Sequence, residues 1–117
     1  MNKNIILAYG SLKKGYGLNK VLKNSEYLGK ARTTDNYTLI DGANFPFLIE
    51  RNGKGAIGEL YEVDAPTMLW LDKIEGHPNF YERKKILTTT ENGDKIEVWA
   101  YIHPDVFGND FNIIEEF

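Results

Sequence analysis

Hydrophobic and polar positions alternate over short segments of this chain, a pattern typical of half-buried β-strands. Residues 4–9 are almost wholly apolar and the run stops at Gly10, which predicts a buried strand. Asn92-Gly93-Asp94 separates two further strand-like segments and predicts a β-hairpin. In all, strands are predicted over residues 4–9, 27–33, 37–40, 47–50, 56–63, 80–90 and 95–103.

Two segments carry apolar residues at helical spacing instead. Residues 18–22 predict a short helix of about two turns. A second helix is predicted to begin after Asp64, a typical N-cap residue, because Pro66 suits a first helical turn. It should end at residue 74 or 75, since Gly76 and a nearby proline follow.

The order of these elements predicts an α+β fold. About seven strands joined by hairpins form a mostly antiparallel sheet, and closure into a small β-barrel with short flanking helices removes its edges. The apolar tail after Pro104 is expected to dock against the rest of the fold. At 117 residues, the chain is predicted to form a single domain over residues 1–117.

Composition narrows the range of functions. The chain has no cysteine, which excludes disulfides, thiol nucleophiles and cysteine metal sites. Its two histidines, His77 and His103, are far apart and are expected to cap or pack rather than bind a metal. The net charge is −3 without a basic cluster, which argues against nucleic-acid binding. The apolar run at residues 5–8 is too short for a membrane span or a leader, so a cytoplasmic protein is predicted.

The loop at residues 10–17 holds three glycines in eight positions. Such a loop exposes backbone N–H groups that can bind an anion or a developing oxyanion. It is not a phosphate loop, because Tyr16 and Gly17 stand where Lys and Ser or Thr are required. Ser11 lacks the surroundings of a nucleophile elbow. The alternative is that the glycines serve only a strand-to-helix connection.

The second helix predicts one candidate acid/base. Its apolar face is formed by Met68, Leu69, Trp70, Leu71 and Ile74. Glu75 lies only about 70° from the centre of that face, whereas Asp72 and Lys73 project away from it. Burial and the negative end of the helix dipole would both raise the pKa of Glu75. The alternative is that Glu75 stays ionised and pairs with Arg83 or Lys84.

Glu59 is a second acidic candidate. Strand alternation places it on one face with Tyr61, which points to a position inside the barrel. We expect it to pair with Arg83 there rather than to act as a catalyst.

Five short motifs occur along the chain in a defined order. They are Tyr9-Gly10-Ser11-Leu12-Lys13-Lys14-Gly15, Asn19, Gly58-Glu59-Leu60-Tyr61, Leu71-Asp72-Lys73-Ile74-Glu75-Gly76 and Tyr81-Glu82-Arg83. The series resembles the γ-glutamyl cyclotransferase-like family, and within it the γ-glutamylamine cyclotransferase branch. The resemblance covers about residues 5–103.

The resemblance implies a small β-barrel with a cavity at one mouth and a reaction that needs no metal or other cofactor. It implies that Glu75 is the catalytic glutamate and that Tyr81 and Arg83 support the site. The turn that would hold a small-molecule γ-glutamyl substrate maps to Tyr9, Gly10, Ser11 and Leu12.

The implied reaction is an intramolecular one. The α-amine of a γ-glutamyl compound attacks its own γ-carbonyl, closes 5-oxoproline and releases an amine, so no protein nucleophile is required. Two alternatives stay open from the sequence. In the first, the chain is a cyclotransferase tailored to a γ-glutamyl protecting group. In the second, it is a non-catalytic binding or interaction module on the same fold.

Overall fold

The protein, seen in a computed structural model, is described over residues 4–10, 13, 17–42, 46–109 and 111–117. These residues contain eight strands, one α-helix and one 3-10 helix. The strands are β1 (Asn4–Ala8), β2 (Glu26–Thr33), β3 (Thr38–Asp41), β4 (Pro46–Ile49), β5 (Ile57–Val63), β6 (Glu82–Thr90), β7 (Lys95–Ile102) and β8 (Asn112–Ile114). The helices are the 3-10 helix Gly17–Leu22 and α1 (Ala65–Glu75).

Five strands close into a barrel in the order β1-β5-β2-β6-β7. All neighbours are antiparallel except β1 and β7, which pair in parallel where Ile6 lies opposite Trp99. The β6–β7 hairpin has the predicted turn, with Gly93 at φ 89°. The predicted α+β fold with a mostly antiparallel barrel is therefore confirmed.

A second sheet has the order β4-β3-β8. Its last strand comes from the apolar tail: Leu39 of β3 lies opposite Ile114 of β8. The tail therefore docks as predicted, but it does so by strand pairing, which the sequence analysis did not anticipate. This adds an eighth strand to the seven that the sequence predicts.

Helix α1 begins and ends where its capping residues predict. The Asp64 carboxylate accepts a hydrogen bond from the backbone N–H of Thr67 at 2.8 Å. Gly76 ends the helix in the left-handed conformation, at φ 68°. The predicted apolar face is too wide: Met68 and Leu71 are buried, but Leu69 is 63% exposed and Trp70 55% exposed. Two buried positions one turn apart form a narrow stripe, so their neighbours face solvent.

Strand β1 is buried on both faces and separates two parts of the core. Ile6 and Ala8 belong to a cluster with Met68 and Leu71 of α1. Leu7, between them, belongs to a second cluster that extends to β3 and β4 of the small sheet. This central position packs the end of β1 against the helix. In the described part of the chain, no helix is long and apolar enough to cross a membrane.

Candidate active site

Glu75 is the last residue of α1, and its carboxyl group is partly buried. Burial raises its pKa to about 7. Within the residues that the structure describes, no hydrogen bond or ion pair reaches this carboxylate. The alternative that Glu75 pairs with Arg83 or Lys84 is wrong, because Arg83 binds Asp72 and Lys84 binds Glu50 at 2.5 Å. The carboxyl group is thus left able to gain and lose a proton near neutral pH.

Three tyrosines come close enough to Glu75 for its charge to affect them. The pKa of each is raised, first by burial of the hydroxyl and further by the negative charge of Glu75. They are Tyr9, Tyr81 and Tyr101. All three are therefore neutral at physiological pH, and their hydroxyls act as hydrogen-bond donors.

Each of these hydroxyls is committed to an acceptor elsewhere. Tyr9 donates to the backbone carbonyl of Tyr101. Tyr81 donates to the carbonyl of Pro46 at 3.2 Å, and Tyr101 donates to the carboxylate of Asp72 at 2.8 Å. The tyrosines therefore form a fixed wall near Glu75 while their hydroxyls leave its carboxylate free to meet a ligand.

Asp72 and Arg83 fasten the C-terminal end of α1 to the barrel. The guanidinium of Arg83 donates to both carboxylate oxygens of Asp72, at 2.8 and 3.1 Å. Burial alone would raise the pKa of Asp72, but the hydrogen bonds from Arg83 and Tyr101 outweigh it and lower that pKa. The backbone N–H of Arg83 also donates to Nδ1 of His77 at 2.9 Å. Glu75 is thus held by contacts on both sides of it in the sequence.

Two members of this network were missed by sequence reasoning. Asp72 was expected to project away from the buried face, yet Arg83 and Tyr101 draw it inward. Its spacing of three residues from Glu75 was the available signal, since such pairs share a side of a helix. Tyr101 gave no local signal, because its role depends on barrel closure.

Gly10 follows β1 and needs to be glycine for two reasons. Its φ of 69° is a conformation that side chains disfavour. A Cβ atom at this position would lie 2.7 Å from Cδ of Pro46. Its carbonyl accepts a hydrogen bond from the backbone N–H of Lys13 at 3.0 Å. Ser11 and Leu12, also predicted to belong to the substrate turn, lie outside the described residues.

Glu59 is placed differently from the expectation. It is buried, at 6% exposure, and accepts a hydrogen bond from the hydroxyl of Tyr61 at 3.1 Å. The Tyr61 hydroxyl in turn accepts one from the side chain of Asn19 at 3.1 Å. The prediction that Glu59 pairs with Arg83 is wrong, since Arg83 is held by Asp72.

The two histidines cap and pack, as predicted. His77 accepts the hydrogen bond from Arg83, and the ring of His103 contacts those of Phe47 and Tyr81. Across the described ranges, no group of three or more histidine, aspartate or glutamate side chains is placed to hold a metal ion.

Residues 6–116 match the model of the family described as gamma-glutamyl cyclotransferase, AIG2-like. This chain belongs to that family. The assignment confirms the resemblance that the ordered motifs indicate.

Relatives in the γ-glutamyl cyclotransferase family are similar to this chain over most of its length. A putative γ-glutamylcyclotransferase of Methanocaldococcus jannaschii is 37% identical, and the match covers 88% of this chain and 87% of that protein. A γ-glutamylaminecyclotransferase of Rattus norvegicus is 34% identical, with 82% and 75% covered. The crystal structure of an AIG2-like protein from Mus musculus superposes with a TM-score of 0.86 at 25% identity, covering all of this chain and 89% of that one.

Family membership supports chemistry of the γ-glutamyl cyclotransferase kind, and the site contains groups suited to it. A carboxyl group with a pKa near neutrality can accept and return a proton at physiological pH. Tyr9, Tyr81 and Tyr101 lie close enough to feel its charge, and their hydroxyls are fixed by hydrogen bonds. Such a site can position a small substrate and move protons within it.

Proposed function

We propose that this protein is a γ-glutamylamine cyclotransferase, which converts a γ-glutamyl amine into 5-oxoproline and the free amine. The observation that carries the proposal is the Glu75 carboxyl group, partly buried, with its pKa raised to about 7 and no ion pair among the described residues. Relatives named γ-glutamylaminecyclotransferase support the choice of an amine as leaving group.

Glu75 acts as the acid/base of the reaction. Its carboxylate takes a proton from the α-ammonium of the substrate, and the freed nitrogen attacks the γ-carbonyl carbon. A five-membered ring closes, and the C–N bond to the amine breaks as Glu75 returns the proton to the leaving nitrogen. The second ammonium proton, released as the ring nitrogen becomes an amide, accounts for the charge on the departing ammonium. No protein nucleophile and no water is consumed.

The substrate is proposed to lie in the turn formed by Tyr9, Gly10, Ser11 and Leu12. Backbone N–H groups there bind the α-carboxylate or the oxyanion of the tetrahedral intermediate. Tyr81 closes the wall beside Glu75, and Arg83 supports the site by holding Asp72. Glu59 is assigned a structural role through its contact with Tyr61.

The rate should depend on pH through Glu75. Its carboxylate is the reactive form, so kcat/KM should fall about tenfold per unit as the pH drops below about 7 and level off above it. The corresponding acid-side fall in kcat should occur at lower pH, because a bound substrate ammonium favours the ionised carboxylate of Glu75. Steady-state rates between about pH 5 and 8.5 measure the pH dependence of both kcat/KM and kcat. A flat kcat/KM profile across this range would contradict the assignment.

Blocking the α-amine of the substrate should stop the reaction. An N-acetylated γ-glutamyl amide has no nucleophilic amine, so we expect neither 5-oxoproline nor free amine from it. The measurement is amine release from the acetylated compound and from its unblocked counterpart under the same conditions. Hydrolysis of the acetylated compound to its free acid would mean that water attacks, and the protein would then be an amidase.

A substrate panel decides the leaving group. γ-Glutamyl derivatives of alkylamines and of α-amino acids are each incubated with the protein, and 5-oxoproline is measured. We expect larger kcat/KM values for the alkylamine derivatives. Higher rates with the α-amino acid derivatives would keep the cyclotransferase chemistry but reject the amine specificity. A protein that binds 5-oxoproline and turns over no member of the panel would be a binding module.

A further inference from the structure

Lys13 is a buried lysine beside the substrate turn. It is only 7% exposed, and its backbone N–H donates to the carbonyl of Gly10. Its ammonium donates to the backbone carbonyl of Phe117 at 2.5 Å and to the carboxylate of Glu116 at 3.3 Å. A buried charge is costly unless it is paired and hydrogen-bonded, so these contacts are what keep Lys13 in place.

The partners of Lys13 belong to a segment that is itself well anchored. It follows β8, which pairs with β3 in the small sheet. The carbonyl of Glu115 accepts a hydrogen bond from the backbone N–H of Ile57 at 2.7 Å. Glu116 also binds Lys30 at 2.8 Å, and this bond together with the one from Lys13 lowers its pKa. Phe117 packs against the core cluster of the barrel.

We infer that residues 115–117 anchor the substrate turn through Lys13, which serves as a positioning residue for substrate binding. The inference rests on the proposed function, since it assigns the turn after Gly10 to the substrate. Gly10 of that turn follows β1, and Lys13, whose N–H bonds to the Gly10 carbonyl, is fastened to the tail. A turn held at both ends loses less conformational freedom when it binds a ligand.

Loss of the Lys13 contacts should affect KM more than kcat. Glu75 is held through Asp72 and Arg83, and the described contacts of Lys13 do not include them. Loosening the turn should therefore weaken substrate binding while the proton transfer, once substrate is bound, proceeds at a similar rate. An increase in KM with little change in kcat is the expected signature.

Lys13→Met tests this against a matched control, Lys30→Met. Both substitutions remove an ion pair to Glu116, but only Lys13 lies at the turn. Lys13→Met should raise KM by about tenfold or more with kcat within about threefold, and Lys30→Met should change neither by more than about twofold. Equal effects of the two substitutions would overturn the inference, as would a loss confined to kcat.

Amide hydrogen exchange provides a readout that needs no activity. A peptide covering residues 9–22 should exchange faster in Lys13→Met and at the wild-type rate in Lys30→Met. If the wild-type protein forms no 5-oxoproline but this difference is seen, the proposed function fails and the anchoring stands. Unchanged exchange in Lys13→Met overturns the anchoring whatever the activity. If Lys13→Met does not fold, Glu116→Gln replaces it, and it must exceed Lys30→Met in both readouts.

Discussion

Replacing Glu75 by glutamine should leave a folded protein whose kcat is lower by about 10²–10⁴-fold, the usual contribution of a positioned acid/base. Glutamine has nearly the same shape but cannot accept and return a proton. KM should rise by less than kcat falls, because the Glu75 carboxylate attracts the bound ammonium while the turn after β1 is proposed to supply most of the binding. Steady-state kinetics on a γ-glutamyl amine, with 5-oxoproline as the measured product, gives both constants.

Glu97→Gln is the matched control, since Glu97 is an exposed glutamate on β7. It should retain the wild-type kcat. Equal rates for wild type and Glu75→Gln would remove Glu75 from the mechanism. Equal losses in both variants would show that the effect is not specific to the site.

Glu75→Gln should also change how the free energy of unfolding depends on pH. Folding raises the pKa of Glu75 from 4.5 to about 7. As the pH rises, Glu75 therefore loses its proton in the unfolded chain before it does so in the folded protein. The free energy of unfolding should therefore fall between about pH 4.5 and 7, by up to about 3 kcal/mol. Glu75→Gln should lack this fall and be more stable than wild type at about pH 8. Denaturant unfolding at about pH 5 and pH 8 measures the difference.

Replacing Gly10 by valine should lower kcat/KM by at least about 10²-fold, because small displacements of a binding group have effects of this size. The new Cβ would fall 2.7 Å from the ring of Pro46, and the φ of 69° is unfavourable for a β-branched residue. The turn must therefore move away from its present course. Binding of 5-oxoproline, measured by calorimetry, should be lost together with activity.

Gly93→Val is the matched control for backbone strain. Gly93 also has a positive φ, 89°, but a Cβ there has no heavy atom within 4 Å. It should lose stability and keep kcat/KM within about threefold, since it lies in the remote β6–β7 turn. An active Gly10→Val protein that still binds product would show that the glycine loop is only a connector.

The parts of the fold that the sequence predicts correctly are those with short-range signals. The caps of α1, Asp64 and Gly76, lie within a few residues of the helix that they end. The β6–β7 hairpin is marked by its own turn. In both places the residues that decide the structure are neighbours in the chain, so periodicity and turn chemistry suffice.

The contacts that the sequence does not predict are the long-range ones. From the sequence alone, several acidic side chains are possible partners of Arg83. The docking of α1 on the barrel selects Asp72 over Glu59 and Glu75. The contact between Tyr101 and Asp72 likewise requires β7 to close the barrel beside β1. The pairing of β8 with β3 joins segments from opposite halves of the chain. Glu75 could be predicted because its helix carries the signal, whereas its supporting residues could not.

Product analysis in water enriched in oxygen-18 tests directly whether the α-amine of the substrate, rather than water, is the nucleophile. A γ-glutamyl amine is incubated with the protein, and the acidic product is identified by mass spectrometry. We expect 5-oxoproline in equal amount to the released amine, with no oxygen-18 incorporated by the enzyme, because the substrate's own nitrogen displaces the amine. Glutamate carrying one oxygen-18 atom in its γ-carboxyl group would contradict it, since water would then be the nucleophile.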